Sequence, residues 1–505
     1  MHRRETLRRS LFAYALSCLA MCEVATRSHA QEKAAPDATA QQQVVQDRIA
    51  AVEKSLLPPV RITGQFSPMG LAVRMQALRV PGVSIAVIDD GKIEWAKGYG
   101  VVEAGKDTPV TADTLFQAAS ISKPVSALAA LKLVDKGALD LDRDVNQYLN
   151  SWKVRENDFT KQHAVDLRGI LSHTAGLTVH CFDGYPVGTA LPTLQQTLGG
   201  TPPANNKPVV VDKLPGKGFR YAGGGTTVMH LLLTEVTAKT FAELMQESVL
   251  SPLGMTGSTY EQPLPEGLRA RAATGHDEAG QAIAGRWHVY PERAAAGLWT
   301  TPTDLAKYAI EVQQTYAGKS QKILTKKMVD QMLTQQGEGP VGLGPMLEGA
   351  GDTRRFKHGG ANAGYRCEFV AYVSRGQGAV VMTSADSGGR LAGEVLAAIA
   401  SVYAWPDYLG EERTIAQLEP AMLDRFVGQY ALGPIGTVTI QRRENRLFAK
   451  PTLGQEIEIF PESDTTFFTD QPGIDGKLEL DEIGAVSEVV VRLPGQEVRA
   501  KKMSK

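Results

Sequence analysis

Strand-forming residues crowd 83–88 and 93–99, on either side of Asp89-Asp90-Gly91, a pattern that predicts an antiparallel hairpin. A second such pair, 369–373 and 379–383, flanks Arg375-Gly376-Gln377-Gly378. Between the two pairs the period changes. Val125, Leu128, Ala129, Lys132 and Leu133 recur at the spacing of an amphipathic helix that ends near Gly137. Residues 120–250 read as mostly helical, interrupted by a Pro- and Gly-rich segment at 178–218. Strands at both ends with helices between them predict an α+β sandwich, an antiparallel sheet flanked by helices, whose two chain ends meet in one sheet. After Trp405-Pro406 the character shifts again. From Leu418 short strands at 437–441, 447–450, 456–460, 466–469, 477–480 and 488–492 alternate with turn residues. Residues 418–505 are therefore expected to form a small all-β domain, an antiparallel barrel or sandwich.

The N-terminus follows another logic. Arg3, Arg4, Arg8 and Arg9 precede an apolar stretch at 11–21, and Ser28-His29-Ala30 offers small residues for cleavage. Residues 1–30 thus read as a secretory signal peptide, with Arg8-Arg9 a weak hint of twin-arginine export. Lipid attachment at Cys18 or Cys22 is the lesser reading, because Met21 is larger than such sites usually carry. Residues 31–50, rich in Ala, Gln and Asp, read as a mobile leader, which leaves 51–410 for the larger domain. The expected location is exported, periplasmic or secreted.

Composition narrows the function classes. A chain of 505 residues has room for more than one domain, and 22% charged residues is ordinary for a globular protein. Removing residues 1–30 takes away five Arg and two Glu, leaving 49 basic against 53 acidic side chains, a net −4. With no basic patch, nucleic acid and anionic membrane are poor partners. No later apolar stretch reaches the length of a spanning helix. Cys181 and Cys367 remain; an oxidising compartment would permit a disulfide, but separate thiols are the favoured reading. The nine histidines show no metal-ligand spacing, so no metal is expected. Nothing in the sequence sets the oligomeric state.

Chemistry concentrates at Ser120-Ile121-Ser122-Lys123. Pro124 is tolerated only in a first helical turn, which puts the helix start close to Ser120. There residues i and i+3 are neighbours, so the Lys123 amine can reach the Ser120 hydroxyl. The Ser120 N–H is unpaired at a helix start and can point at a developing oxyanion. A nucleophile, a base and an oxyanion donor are parts of an acyl-transfer site.

The whole run Phe116-Gln117-Ala118-Ala119-Ser120-Ile121-Ser122-Lys123-Pro124 resembles the nucleophile segment of the serine β-lactamase and penicillin-binding-protein superfamily, in particular its class C and D-alanyl-D-alanine carboxypeptidase branch. Leu171-Ser172-His173-Thr174-Ala175-Gly176-Leu177, Pro252-Leu253-Gly254-Met255 and Gly297-Leu298-Trp299-Thr300-Thr301-Pro302 are similar to further segments in the family's order, and the resemblance spans about 60–405. It implies a β-lactamase-like sandwich with a helical subdomain, and chemistry that needs no cofactor. It also implies that Tyr221-Ala222-Gly223 stands where the family carries Tyr-x-Asn, with Tyr221 moving protons alongside Lys123. Gly223 stands at the position of the family's substrate-binding asparagine and is expected to meet substrate there, but its lack of a side chain disfavours penicillin-like recognition. His358-Gly359-Gly360 matches the His-x-Gly form of the third motif, with Ala361 supplying the second oxyanion N–H and Gly360 allowing close approach. His358 would orient Tyr221 or meet a substrate carboxylate, the latter weakly because imidazole loses its charge near neutral pH.

The expected activity is a serine hydrolase that forms a Ser120 acyl-enzyme on a peptide, another amide or an ester. A class C-like β-lactamase is the alternative, and a non-catalytic receptor is the alternative of another class. Ala385-Asp386-Ser387-Gly388-Gly389 and Gly223-Gly224-Gly225-Thr226 are decoys that lack the remainder of a serine-protease or phosphate-loop pattern. His173 reads as a structural residue of its motif.

Overall fold

The first strand of the hairpin is apolar on both faces, and the reason is its place in the sheet. In the computed structural model, which describes residues 38–433, 436–452, 455–471, 473–493 and 496–503, six antiparallel strands form the central sheet. They are β1 (Gly82–Asp89), β2 (Lys92–Gly100), β3 (Met346–Glu348), β4 (Arg355–Asn362), β5 (Tyr365–Tyr372) and β6 (Gly378–Thr383), in the order β2-β1-β6-β5-β4-β3. β1 pairs with β6 from Val83↔Thr383 to Ile88↔Gly378, so the two ends of the domain meet in one sheet, as the pattern predicts.

Alternate residues on these strands serve two cores. Val83, Ile85, Val87, Ala379 and Val381 pack with Leu391, Val395, Leu396 and Ile399 of the helix Gly388–Val402. Ala86, Ile88, Val380 and Met382 face the larger core, which holds the helices Ser122–Asp135, Gly223–Thr237 and Pro302–Tyr316. The fold is thus the α+β sandwich with a helical side expected from the sequence. A buried ion pair ties the helix Leu71–Ala77 to the helix Gly388–Val402, with Arg74 donating from Nε and Nη2 to Glu394 at 2.7 and 2.6 Å.

Three local expectations need correction. The signal-peptide reading of 1–30 lies outside the described residues, but the mobile leader read over 31–50 is helical from Ala38 onward, within Ala38–Lys54. Ile49 and Val52, at helical i, i+3 spacing, bury in the second core, and Arg48 pairs with Asp89 and Glu94. The helix after Ser120 is not amphipathic. Every residue from Ser122 to Leu131 is buried, because the helix runs through the core with packing on all sides. The stretch 138–222 carries only short helical turns, with the longest being Leu194–Gly199.

The C-terminal domain is a closed barrel of eight sequential strands running from Gly428–Ala431 to Gln496–Lys502, sealed by Tyr430↔Lys502 and Ala431↔Lys501. Phe426, Tyr430, Ile440, Leu447, Ile459, Phe467, Leu478 and Val489 fill its interior. The two strands that close it escape the pattern: one has four residues and the other is charged on alternate positions. Cys181 is exposed and Cys367 buried, and both thiols are free.

Candidate active site

Phe116–Gln117 pairs with Trp299–Thr300 and delivers the chain into a sharp turn. Ala119 sits in the left-handed region at φ 50°, a strained conformation for alanine that bends the backbone into the Ala119–Ile121 turn and the helix behind it. Ser122 pins this turn, donating to Ala119 O at 2.5 Å and accepting from Leu298 N at 3.0 Å. Lys123 then reaches back one turn, and its Nζ stands 3.0 Å from Ser120 Oγ. Its second partner is Ala295 O at 2.8 Å, on the short helix Arg293–Ala296. Lys123 is buried and Ser120 is partly open.

Tyr221 lies across this pair. Lys123 Nζ is 5.0 Å from the centre of its ring, and the Tyr221 hydroxyl is buried with no hydrogen-bond partner among the described residues. Three imidazoles surround the ring, with centroids at 4.4 Å for His173, 5.0 Å for His180 and 6.0 Å for His358. His173 Nδ1 accepts the Ala222 N–H at 3.2 Å, so it carries no proton there. Burial, with Lys123, His358 and His180 nearby, holds His173 well below the usual histidine range. Burial beside Lys123 likewise pushes His358 down to about 4. His358 Nδ1 donates to Gly359 O at 2.6 Å, which leaves Nε2 as an unpartnered acceptor. A neutral His358 offers a lone pair to the cleft and cannot attract a carboxylate.

β4 forms the wall beside Ser120. β3 pairs with β4 only at residues 355–357, so the edge from His358 onward is open. Gly360 lies against the nucleophile turn, where a Cβ would fall 2.2 Å from Ala118 O. At the strand's end, Asn362 Nδ2 donates to Gln117 Oε1 at 2.7 Å and Ala296 O at 3.1 Å, clamping β4 to the nucleophile segment. Ala361 is exposed on this strand.

Ser120, Tyr221, His358, Gly360 and Ala361 share a cleft of about 1000 Å³, lined also by His180, Asp183, His288, Tyr290, Arg366 and Asp386. Arg366 is the one Lys or Arg among the described lining residues, and it is engaged with Asp386 Oδ1 at 2.8 Å. Gly223 does not line the cleft. Its N–H donates to His180 O at 3.0 Å, and a Cβ there would lie 3.1 Å from both His180 O and Phe182 Cε2. The 178–183 segment covers it, and the expectation that Gly223 itself meets substrate is corrected accordingly. His180 and the Gln117–Asn362 clamp were not singled out from the sequence. They join segments far apart in the chain, and no local pattern marks them.

Residues 71–404 match the family described as Beta-lactamase, two-thirds of the chain. The chain belongs to the β-lactamase family. Protein flp of Staphylococcus aureus (strain N315) is 25% identical over 232 residues, 45% of this chain and 43% of that protein. The chain therefore spans less than half the length of that curated relative. Among solved structures, the octameric penicillin-binding protein homologue from Pyrococcus abyssi superposes with a TM-score of 0.56 at 22% identity, covering 85% of this chain and 98% of that one. The D-amino acid amidase from Ochrobactrum anthropi SV3 gives a TM-score of 0.56 at 20% identity, covering 71% and 99%. These likenesses extend the β-lactamase fold across the larger domain. Among the described residues no helix is long and apolar enough to cross a membrane.

Proposed function

We propose that this β-lactamase-family chain is a serine hydrolase that works through a Ser120 acyl-enzyme on amide or ester substrates. The observation that carries the reading is the buried Lys123 amine 3.0 Å from Ser120 Oγ, with the unpartnered Tyr221 hydroxyl beside it. Ser120 Oγ attacks the carbonyl carbon and its proton passes to Lys123 or Tyr221. The Ser120 and Ala361 N–H groups stabilise the oxyanion. Collapse breaks the bond to the leaving group, which takes a proton from Tyr221. Water then attacks the ester on Ser120 and the acid departs. The signal-peptide-like sequence of residues 1–30 supports work outside the cytoplasm.

Electrostatics narrow the substrate. Arg366 is engaged with Asp386, and His358 presents a neutral acceptor, so the cleft is poorly equipped for a free carboxylate. That favours an aminopeptidase-like, amidase or esterase activity over removal of a C-terminal D-alanine. The missing side chain at Gly223, which lies under the 178–183 segment, argues in the same direction against β-lactams.

The test uses the purified protein beside Ser120→Ala on p-nitrophenyl esters, D-amino-acid amides, D-alanyl peptides and a chromogenic cephalosporin. Turnover of esters or amides that Ser120→Ala abolishes is expected. Full activity in Ser120→Ala, or no acyl adduct on Ser120 with any reactive probe, would refute the mechanism. Fast cephalosporin turnover would instead establish the β-lactamase alternative.

A further inference from the structure

The segment 178–183 is held over the head of the helix Gly223–Thr237 by several independent ties. Thr178 N donates to Val210 O at 2.9 Å, Val210 N donates to Thr178 Oγ1 at 2.9 Å, and Gly223 N and Gly224 N donate to His180 O and Val179 O at 3.0 and 2.9 Å. Val179 takes φ 64°, a strained conformation for a β-branched residue, at the bend that turns the chain back over Tyr221. Such strain persists where the surroundings over-determine it. Gly223 and Gly224 are the counterpart of this bend, since a Cβ at 224 would fall 2.4 Å from Thr178 O.

The result is an exposed imidazole in the cleft. His173 and His358 are buried, whereas the His180 ring is open to solvent and makes no hydrogen bond with the described residues. Its one ring contact among the described residues is with Tyr221 at 5.0 Å. Tyr290 ties this segment to the site strand, its hydroxyl donating to Asp183 O at 3.3 Å and accepting from Ala363 N at 3.0 Å. An extended substrate whose carbonyl lies at Ser120 can pair one edge with the open part of β4. His180 lines the same cleft as Ser120 and that strand.

We propose that His180 is a specificity-determining residue, hydrogen-bonding the amide group adjacent to the scissile carbonyl. Imidazole suits that task because one nitrogen donates while the other accepts. The side chain that reads the amide comes from the 178–183 segment, because position 223 carries none and lies beneath that segment. This inference rests on the Ser120 acyl-enzyme reading.

The experiment compares two activated esters that differ by one amide, the p-nitrophenyl esters of N-acetylalanine (each enantiomer) and of propionic acid. The readout is the ratio of their kcat/KM values in wild type, His180→Ala and His180→Asn, together with Ser120 labelling by a fluorophosphonate, which has no amide. His180→Ala should reduce the preference for the acetamido ester about tenfold, the worth of one hydrogen bond. His180→Asn, which can also donate and accept, should recover part of it. An unchanged ratio in His180→Ala, or equal losses on both esters, would overturn the role of His180 while leaving Ser120 labelling intact. Failure of wild type to label together with no Ser120-dependent turnover of either ester would overturn the acyl-enzyme reading itself, and the His180 role with it.

Discussion

Gly359 and Gly360 are neighbours on β4 with opposite surroundings, and alanine at each should behave differently. A Cβ at 360 would lie 2.2 Å from Ala118 O, 3.2 Å from Ala118 C and 3.3 Å from Ala119 Cβ. At 359 the nearest atom is Cys367 O, 3.9 Å away. Comfortable non-bonded separations begin near ~3.5 Å, so Gly360→Ala must part the strand from the nucleophile turn by about 1 Å. Neither side yields readily. Ala118 N is bonded to Leu298 O at 2.9 Å, and β4 is paired with β5 from Arg355 to Asn362. Overpacking of this kind costs about 1–3 kcal/mol, and a ~1 Å error between reacting groups costs on the order of 100-fold in rate. Two measurements check this: the thermal midpoint, and the rate of Ser120 phosphonylation by a fluorophosphonate, in which Oγ bonds phosphorus and fluoride leaves. Gly360→Ala should lose about 100-fold in phosphonylation with a lowered midpoint, while Gly359→Ala stays within about threefold. Equal behaviour of the two variants, in either direction, would refute the argument that Gly360 sets the distance between Ser120 and the strand.

Two buried titrations should pull stability in opposite directions. His358 is held down at about 4 against 6.5 in the open chain, so the unfolded state binds the extra proton between those values. Its contribution is fully present above pH 6.5 and is lost as pH falls toward 4. Over about two and a half pH units that amounts to about 3 kcal/mol relative to His358→Gln, read from urea midpoints across the range. Glu292 has the opposite sign. Both its carboxyl oxygens are buried without partners among the described residues, and burial pushes it up to about 7 from 4.5. The folded state then binds the extra proton, and stability is lost as pH rises through 4.5–7. Glu292→Gln should therefore match wild type below pH 4.5 and exceed it by about 3 kcal/mol at pH 8, and a constant difference would count against this account. Glu394→Ala strands the Arg74 guanidinium against the helix Gly388–Val402 and should lower stability by about 3 kcal/mol in chemical denaturation; a loss under about 1 kcal/mol would show the pair to be inessential.

The parts legible in the sequence are those that local physics encodes. Ser120 and Lys123 stand three apart beside a proline, and that spacing alone brings their functional atoms to 3.0 Å. The two strand pairs of the sheet announce themselves by residue type and turn. What escaped depends on distant neighbours. The helix Ala38–Lys54 looks like a leader until the sheet gives Ile49 and Val52 a surface to bury against. The helix Ser122–Asp135 has an apparent amphipathic period, but its polar face is also enclosed, with Ser122 and Ser126 bonding Leu298 N and Ala294 O far along the chain. The barrel's first and last strands become strands only by closing on each other.

Position 223 shows why this matters for function. Read along the chain, glycine after Tyr221 and Ala222 is a missing side chain and a reason to doubt substrate recognition. In the fold it is a requirement, because the 178–183 segment rests its carbonyls on the N–H groups of Gly223 and Gly224 and leaves no space for a Cβ at either without displacement. The same contact that crowds a side chain at 223 holds the segment in which His180 stands 5.0 Å from the Tyr221 ring. On the role proposed for His180, departure from the motif and replacement of its side chain are one structural event, distributed over two segments about forty residues apart. Neither segment carries a signal that names the other, since the coupling runs through backbone hydrogen bonds that any residue pair can make.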